Sequence, residues 1–241
     1  MQLPSANTPV ATCGDLSVFT WSMLAKFPER VALTGLGTKV LGAADALLAA
    51  EQAYKAGSRA LVTARVGVRH ADLMADQGVR LTLKAVQLAD GQSGKKVTPQ
   101  LFPNGVTPIV RPIGSAEVAE LRDLEGRLDA LSGAWADAAS EKAKIVALRT
   151  TYEAAIGTRR NAQQSLSDLR AARDAAREDF LDVYAEVAAR VKAEFPRDRV
   201  MQDLFFDTVR VDHAADTSDA EPVPAPEPAP TPVASGAKQP N

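Results

Sequence analysis

The chain has 241 residues, with 28 Lys and Arg against 30 Asp and Glu, which gives a formal net charge of −2 at neutral pH. This balance excludes a strongly basic nucleic-acid-binding protein and an acidic low-complexity chain. Hydrophobic residues make up 46 % of the chain but aromatic residues only 5 %, so alanine supplies much of the apolar content. Because alanine favours helices and fills a core poorly, the composition predicts an all-α protein with long helices.

The N-terminal segment, residues 1–37, is of mixed character. Asp15 can cap a short amphipathic helix that extends to Lys26 and ends before Pro28. No basic residue precedes Lys26 and no apolar signal-peptide core follows the first methionine. The chain also has no run of the roughly 18 consecutive apolar residues that a membrane-spanning helix needs. We therefore expect a cytoplasmic protein. The single cysteine, Cys13, excludes a disulfide framework.

A first long helix is predicted over residues 38–90, with Gly91 as its stop. Small residues recur at every seventh position of this helix, where they favour close packing against another helix. Each internal glycine costs about 1 kcal/mol of helix propensity, so close packing explains the glycines better than chance does. The predicted helix-packing seam consists of Ala43, Ala50, Gly57, Ala64, Ala71, Gly78 and Ala85.

Residues 91–114 interrupt the helical period and predict an irregular loop or small hairpin at the tip of the structure. A second helical region follows over residues 115–195. Its leucine stripe and its later apolar stripe differ in phase, which indicates either a stutter or a break between residues 132 and 144. We favour a break near Gly133. These elements predict an elongated antiparallel helical hairpin or coiled coil.

If the second helical region folds straight back from the tip, the position of the tip determines which residues of the two helices lie opposite each other. Tyr54 then lies opposite Tyr152, and Ala50 lies opposite Ala155. Such a pairing would place two aromatic rings in contact, which helps to fix a register.

The end of the chain contains a short amphipathic helix, residues 196–212, and a tail, residues 213–241, with proline at every second position from Pro222 to Pro232. Proline removes a backbone donor and the tail has little to bury, so we expect it to be disordered. Aromatic residues gather at both ends of the remaining chain, which meet in an antiparallel hairpin. The predicted end cluster, or interaction surface, consists of Phe19, Trp21, Phe27, Phe195, Phe205 and Phe206.

Residues that could carry chemistry are few. The segment from Gly91 to Lys96 has the wrong spacing for a phosphate-binding loop. His70 and His213 have no second ligand at metal-binding spacing, and no serine lies in a nucleophile elbow. A mildly basic stretch lacks the interleaved aromatic residues of a nucleic-acid groove, so we interpret it as a solvated face. It consists of Lys55, Arg59, Arg65, Arg69, Arg80 and Lys84.

These observations favour a non-enzymatic structural or scaffolding coiled-coil protein that associates with itself, and they predict no catalytic residue, cofactor or metal. A different protein is also a possible partner, whereas a nucleic-acid partner is not expected. The alternative is a peripheral membrane protein that inserts its short N-terminal helix into a lipid interface, although Lys26 is the only basic anchor there. An enzyme without a recognisable motif is the least favoured hypothesis.

Overall fold

The computed structural model describes residues 3–94 and 96–207, and it is all-α over these residues, with no strand among them. The all-α hairpin is thus confirmed. Two helices, α2 and α6, have 58 and 57 residues and span about 85 Å each at ~1.5 Å per residue. The predicted tail, residues 213–241, lies outside the described residues. The helices are α1 (Val10–Leu24), α2 (Leu36–Ser93), α3 (Thr98–Leu101), α4 (Thr107–Val110), α5 (Ser115–Ala130), α6 (Ala138–Glu194) and α7 (Arg199–Leu204), with a 3-10 turn at Val31–Leu33.

Glycines in the left-handed conformation set both ends of α2. Gly35 precedes the helix with a φ of 81°, and Gly94 follows it with a φ of 68°. Only glycine adopts such angles without strain, so the helix ends at Gly94 and continues through the predicted stop at Gly91. The chain then reverses, because the Asp90 carboxylate accepts hydrogen bonds from the amides of Val97 at 2.7 Å and Thr98 at 2.9 Å.

The two long helices are antiparallel, but in a different register from the predicted one. The Tyr152 hydroxyl donates a 2.8 Å hydrogen bond to Asp72 and so lies 18 residues along α2 from the expected partner, Tyr54. Tyr54 instead packs beneath the guanidinium of Arg173, 4.4 Å from the ring centroid. The predicted pairing of Ala50 with Ala155 is wrong for the same reason.

The segment between the long helices explains this shift. After α2 the chain runs back along it through α3 and α4, so that the Gly114 amide donates to the Tyr152 hydroxyl at 2.8 Å. Helix α5 then runs antiparallel to α6, as ion pairs between Glu125 and Arg149 and between Asp129 and Lys142 show. The break predicted near Gly133 is present, between the end of α5 and the start of α6. The tip of the hairpin is therefore this break.

The buried apolar residues form two separate clusters. One lies where α5 covers the α2–α6 pair, and includes Leu121, Leu128 and Ile145. The other lies where α1 and the residues after α6 cover the same pair, and includes Leu47 and Phe180. Each end of the hairpin therefore has a third layer of chain over the two long helices.

One stretch of the described chain, Val31–Ser93, is long and apolar enough to cross a membrane by length and composition alone. An 18-residue window within it has a mean hydropathy of 1.4, and 28 % of that window is buried. A search for about 18 consecutive apolar residues misses this stretch, because two charged residues in such a window still leave its mean hydropathy high. The core helices of soluble proteins reach similar values, so this finding by itself is weak evidence for a membrane span.

Candidate functional site

The small residues of the predicted seam lie along the side of α2 that faces α6. Ala64 and Ala71 are buried, and a Cβ atom added to Gly57 would lie 2.6 Å from Cδ1 of Leu169. At Gly78 an added Cβ would collide with Leu148. Leucines of α6 thus fill the space that the glycines of α2 leave open. The remaining seam residues, Ala43, Ala50 and Ala85, are half-buried.

Two cavities open along one side of the α2–α6 seam. The first has a volume of about 470 Å³ and is lined only by small side chains, namely Ala60, Thr63, Ala64, Gly67, Ala155, Thr158 and Ala162. The second, of about 600 Å³, is lined by Met74, Gln77, Gly78, Leu81, Thr82, Ala85, Glu141, Lys144, Ile145, Ala147 and Leu148. The α2 residues in both sets follow a spacing of mostly three and four, so they share one helix face. We call the two cavities together the furrow.

Apolar side chains stand at the rim of the furrow without cover. Leu81 is 62 % exposed and Met74 is 40 % exposed. A Cβ atom added to Gly67 would meet nothing within 4 Å, so the furrow has room at that point for another chain. The one carboxylate that lines it, Glu141, is satisfied within the chain, because it accepts hydrogen bonds from Thr82 at 2.7 Å and from Lys144 at 2.5 Å.

The central section of the α2–α6 pair also lacks a third layer. Residues 48–63 of α2 include no fully buried residue, and neither do residues 153–179 of α6. Leu61, Leu166 and Leu169 are only half-buried there. A two-helix pair cannot enclose its own apolar side chains, so this section leaves the leucines between its two helices partly exposed.

Most aromatic residues of the predicted end cluster come together. The rings of Phe27 and Phe205 are 4.9 Å apart and those of Phe195 and Phe205 are 5.6 Å apart. Phe206 contacts Tyr184, which also hydrogen-bonds to Thr20 at 3.1 Å. These contacts join α1, the end of α6 and the residues after α7 into one core.

The other two members of that predicted cluster lie outside these ring contacts. Trp21 is 42 % exposed and covers Gly37, while Phe19 is half-buried on α1. Because Phe205 and Phe206 are buried, the end cluster forms a core and offers little surface for interaction.

A buried acidic cluster, which the sequence does not reveal, lies at the start of α5. Glu117 is 1 % exposed, and its Oε2 atom has no hydrogen-bond partner among the described residues. Burial, then the hydrogen bond with Asp72, raises the pKa of Glu117 to about 8, while the hydroxyl of Tyr152 acts in the opposite direction. Burial and the neighbouring Asp72 also raise the pKa of Asp76. Glu117 is therefore mostly protonated at neutral pH.

Carboxyl groups with raised pKa values, as in this cluster, are common in active sites. The geometry here, however, leaves no room for a substrate. Glu117 and Tyr152 are closed off from solvent, with exposures of 1 % and 0 %. In addition, the described residues contain no group of three or more His, Cys, Asp or Glu that could hold a metal ion. The arrangement fits a structural contact among α2, α5 and α6.

The remaining sequence candidates are dispersed. His70 is exposed on α2, and His213 lies outside the described residues. Cys13 is buried, and burial raises the pKa of its thiol, which makes it a poor nucleophile. Comparison with known proteins gives no match, since no family model, curated protein or solved structure is significantly similar to this chain.

Proposed function

We propose that the protein is a non-enzymatic helical scaffold that associates with itself through the furrow. The observation that carries this proposal is the open side of the α2–α6 seam, where small residues line a furrow with exposed leucine and methionine side chains at its rim. A second copy of the chain would supply the missing layer of helices. Small side chains let helix backbones approach closely, which increases the dispersion contacts between them.

The size of the furrow suits such an interface. From Ala60 to Ala85 it extends about 37 Å along α2 at ~1.5 Å per residue. Stable interfaces between proteins bury roughly 1,200–2,000 Å² in total, which two hairpins packed side by side over this length can reach. The side of the neighbouring central section that continues the furrow face would become buried in the same contact. Self-association therefore covers the furrow side of the α2–α6 pair, where it lacks a third layer.

The membrane alternative of the sequence analysis requires α1 to enter a lipid interface. In the structure Cys13, Leu16 and Leu24 of α1 are buried in the core. Among the large apolar side chains of α1, only Val18 and Trp21 are substantially exposed, at 50 % and 42 %. Insertion of α1 would thus remove it from the core. This cost makes self-association the better-supported proposal.

A matched pair of glycine substitutions tests the proposal. Gly67→Gln places a side chain in the furrow, whereas Gly126→Gln places the same side chain on the exposed face of α5; an added Cβ meets nothing within 4 Å at either position. Both changes remove a helical glycine, so both are expected to leave the hairpin folded. By light scattering after gel filtration, the natural chain and Gly126→Gln should be oligomeric and Gly67→Gln should dissociate. A monomeric natural chain, or equal behaviour of the two variants, would contradict the proposal.

A further inference from the structure

A second exposed face of α2 carries both aliphatic and cationic side chains, interspersed along its length. Its members are spaced mostly three or four residues apart, so they share one side of the helix, and each is exposed. We call this face the basic stripe, and it consists of Leu48, Lys55, Arg59, Val62, Val66, Arg69, Leu73, Arg80, Lys84 and Leu88.

The aliphatic members of the basic stripe are unusually exposed for a helix of this kind. Val66 is 63 % exposed, Leu73 is 52 % exposed and Leu88 is 64 % exposed. By contrast, α5 and α6 expose no large hydrophobic side chain at all among their described residues. The apolar surface of the hairpin is therefore concentrated on one of its two long helices.

The cationic members of the stripe form few close ion pairs. Arg59, Arg69, Arg80 and Lys84 form no ion pair with any described residue, and only Lys55 has a partner, Glu51 at 3.4 Å. The acids beside the stripe are half-buried, Glu51 next to Lys55 and Asp76 next to Arg80. If the stripes of two copies of the chain met, their positive charges would repel each other. The partner of the stripe is therefore not the second copy that we propose for the furrow.

We infer that the basic stripe docks on an anionic lipid-bilayer surface. Arg and Lys side chains beside exposed aliphatic groups can extend their charged ends to lipid phosphates while the aliphatic side chains enter the interface. The stripe extends about 60 Å along α2 at ~1.5 Å per residue, so it can place several cations on one membrane surface. A nucleic acid would engage the cations but would leave the five aliphatic side chains in water, and the stripe has no aromatic side chain to stack on bases.

This inference is independent of self-association, because the stripe excludes every residue that lines the furrow. It also differs from insertion of α1, since α2 would contact the lipid without leaving the α2–α6 pair. The monomeric furrow variant Gly67→Gln is therefore expected to bind lipid as well.

Vesicle co-sedimentation of the full chain tests the charge requirement. The probes are vesicles of phosphatidylcholine and phosphatidylserine at a ratio of about three to one, compared with vesicles of phosphatidylcholine alone. Each cation near such a surface contributes about fivefold to binding, so Arg80→Gln with Lys84→Gln should weaken binding on the order of 25-fold. The matched control, Arg190→Gln with Lys192→Gln, removes two exposed cations from α6 and should change it little. Absence of binding to the anionic vesicles, or equal losses in both double variants, would overturn the inference.

A second pair of variants separates lipid from other polyanions. Leu73→Gln with Leu88→Gln should weaken vesicle binding by about tenfold or more, because these side chains would no longer leave water. The control, Val31→Gln with Val200→Gln, changes two residues that are 83 % and 81 % exposed elsewhere and should bind like the natural chain. If the leucine variant binds as well as its control, the partner is a polyanion such as nucleic acid and not a membrane. Binding that depends on Trp21 and not on α2 would likewise refute the inference.

Discussion

Replacing Glu117 with glutamine should change how the stability of the protein depends on pH. The pKa of Glu117 in the folded chain is about 8, against an ordinary value of 4.5, so the folded state holds this proton more tightly than the unfolded state. Its contribution to stability is fully present below about pH 4.5 and is lost as the pH rises towards 8. The groups that face it are Asp72 and Asp76 from α2 and Tyr152 from α6, and none of them carries a positive charge.

The expected size of the effect follows from the two pKa values. One pKa unit corresponds to about 1.4 kcal/mol, so the full difference amounts to at most about 5 kcal/mol of unfolding free energy. Between about pH 5 and pH 7.5 the natural chain should lose roughly 3 kcal/mol relative to Glu117→Gln. Glutamine has the shape and neutrality of the protonated acid, so the variant should retain its stability over this range.

Urea unfolding at several pH values, followed by circular dichroism, measures this difference. Asp123→Asn, which changes an exposed carboxyl group on the same helix, is the control and should follow the natural chain. Stability curves for the natural chain and Glu117→Gln that run parallel between about pH 5 and pH 7.5 would refute the assignment of a raised pKa to Glu117.

Other consequences of the packing can be measured on the same preparation. Ala64→Leu should lower the free energy of unfolding by about 1–3 kcal/mol, more than Leu61→Ala, because position 64 is buried against α6 whereas position 61 is half-exposed. Gly67→Ala should raise the melting temperature by gaining about 1 kcal/mol of helix propensity, while Gly78→Ala should gain less, since the new methyl group must displace a leucine of α6. Cysteines at Ala64 and Ala162, in a background without the natural cysteine, should form a disulfide within one chain. If that disulfide does not form under oxidising conditions, the observed pairing of α2 with α6 would be contradicted.

The sequence predicted the helices of this protein well because their signals are local. Alanine content, the heptad spacing of small residues and Gly133 are each visible in a short window of the chain. They suffice for two long helices and for the break between α5 and α6. The helix ends were less well predicted, because helical and left-handed glycines look alike in sequence; Gly91 continues α2, and Gly94 ends it.

The register and the acidic cluster were missed because both depend on contacts between distant residues. No local signal shows that residues 96–114 run back along α2, yet this reversal moves the partner of Tyr152 from Tyr54 to Asp72. Glu117 looks like an ordinary first-turn acid of α5 in the sequence. Its burial follows only once α5 packs between α2 and α6, and so its perturbed pKa could not be predicted.

A scan with single cysteines tests self-association through the furrow most directly. The natural Cys13 is replaced by serine, and one cysteine is placed in turn at Gly67, Met74 or Leu81, or at Gly126 on the outer face of α5. In a symmetric interface, the furrow position nearest the symmetry axis meets its own copy. We predict that at least one furrow position yields a covalent dimer rapidly on mild oxidation and that Gly126 does not. Equal and slow dimer formation at all four positions would contradict the account.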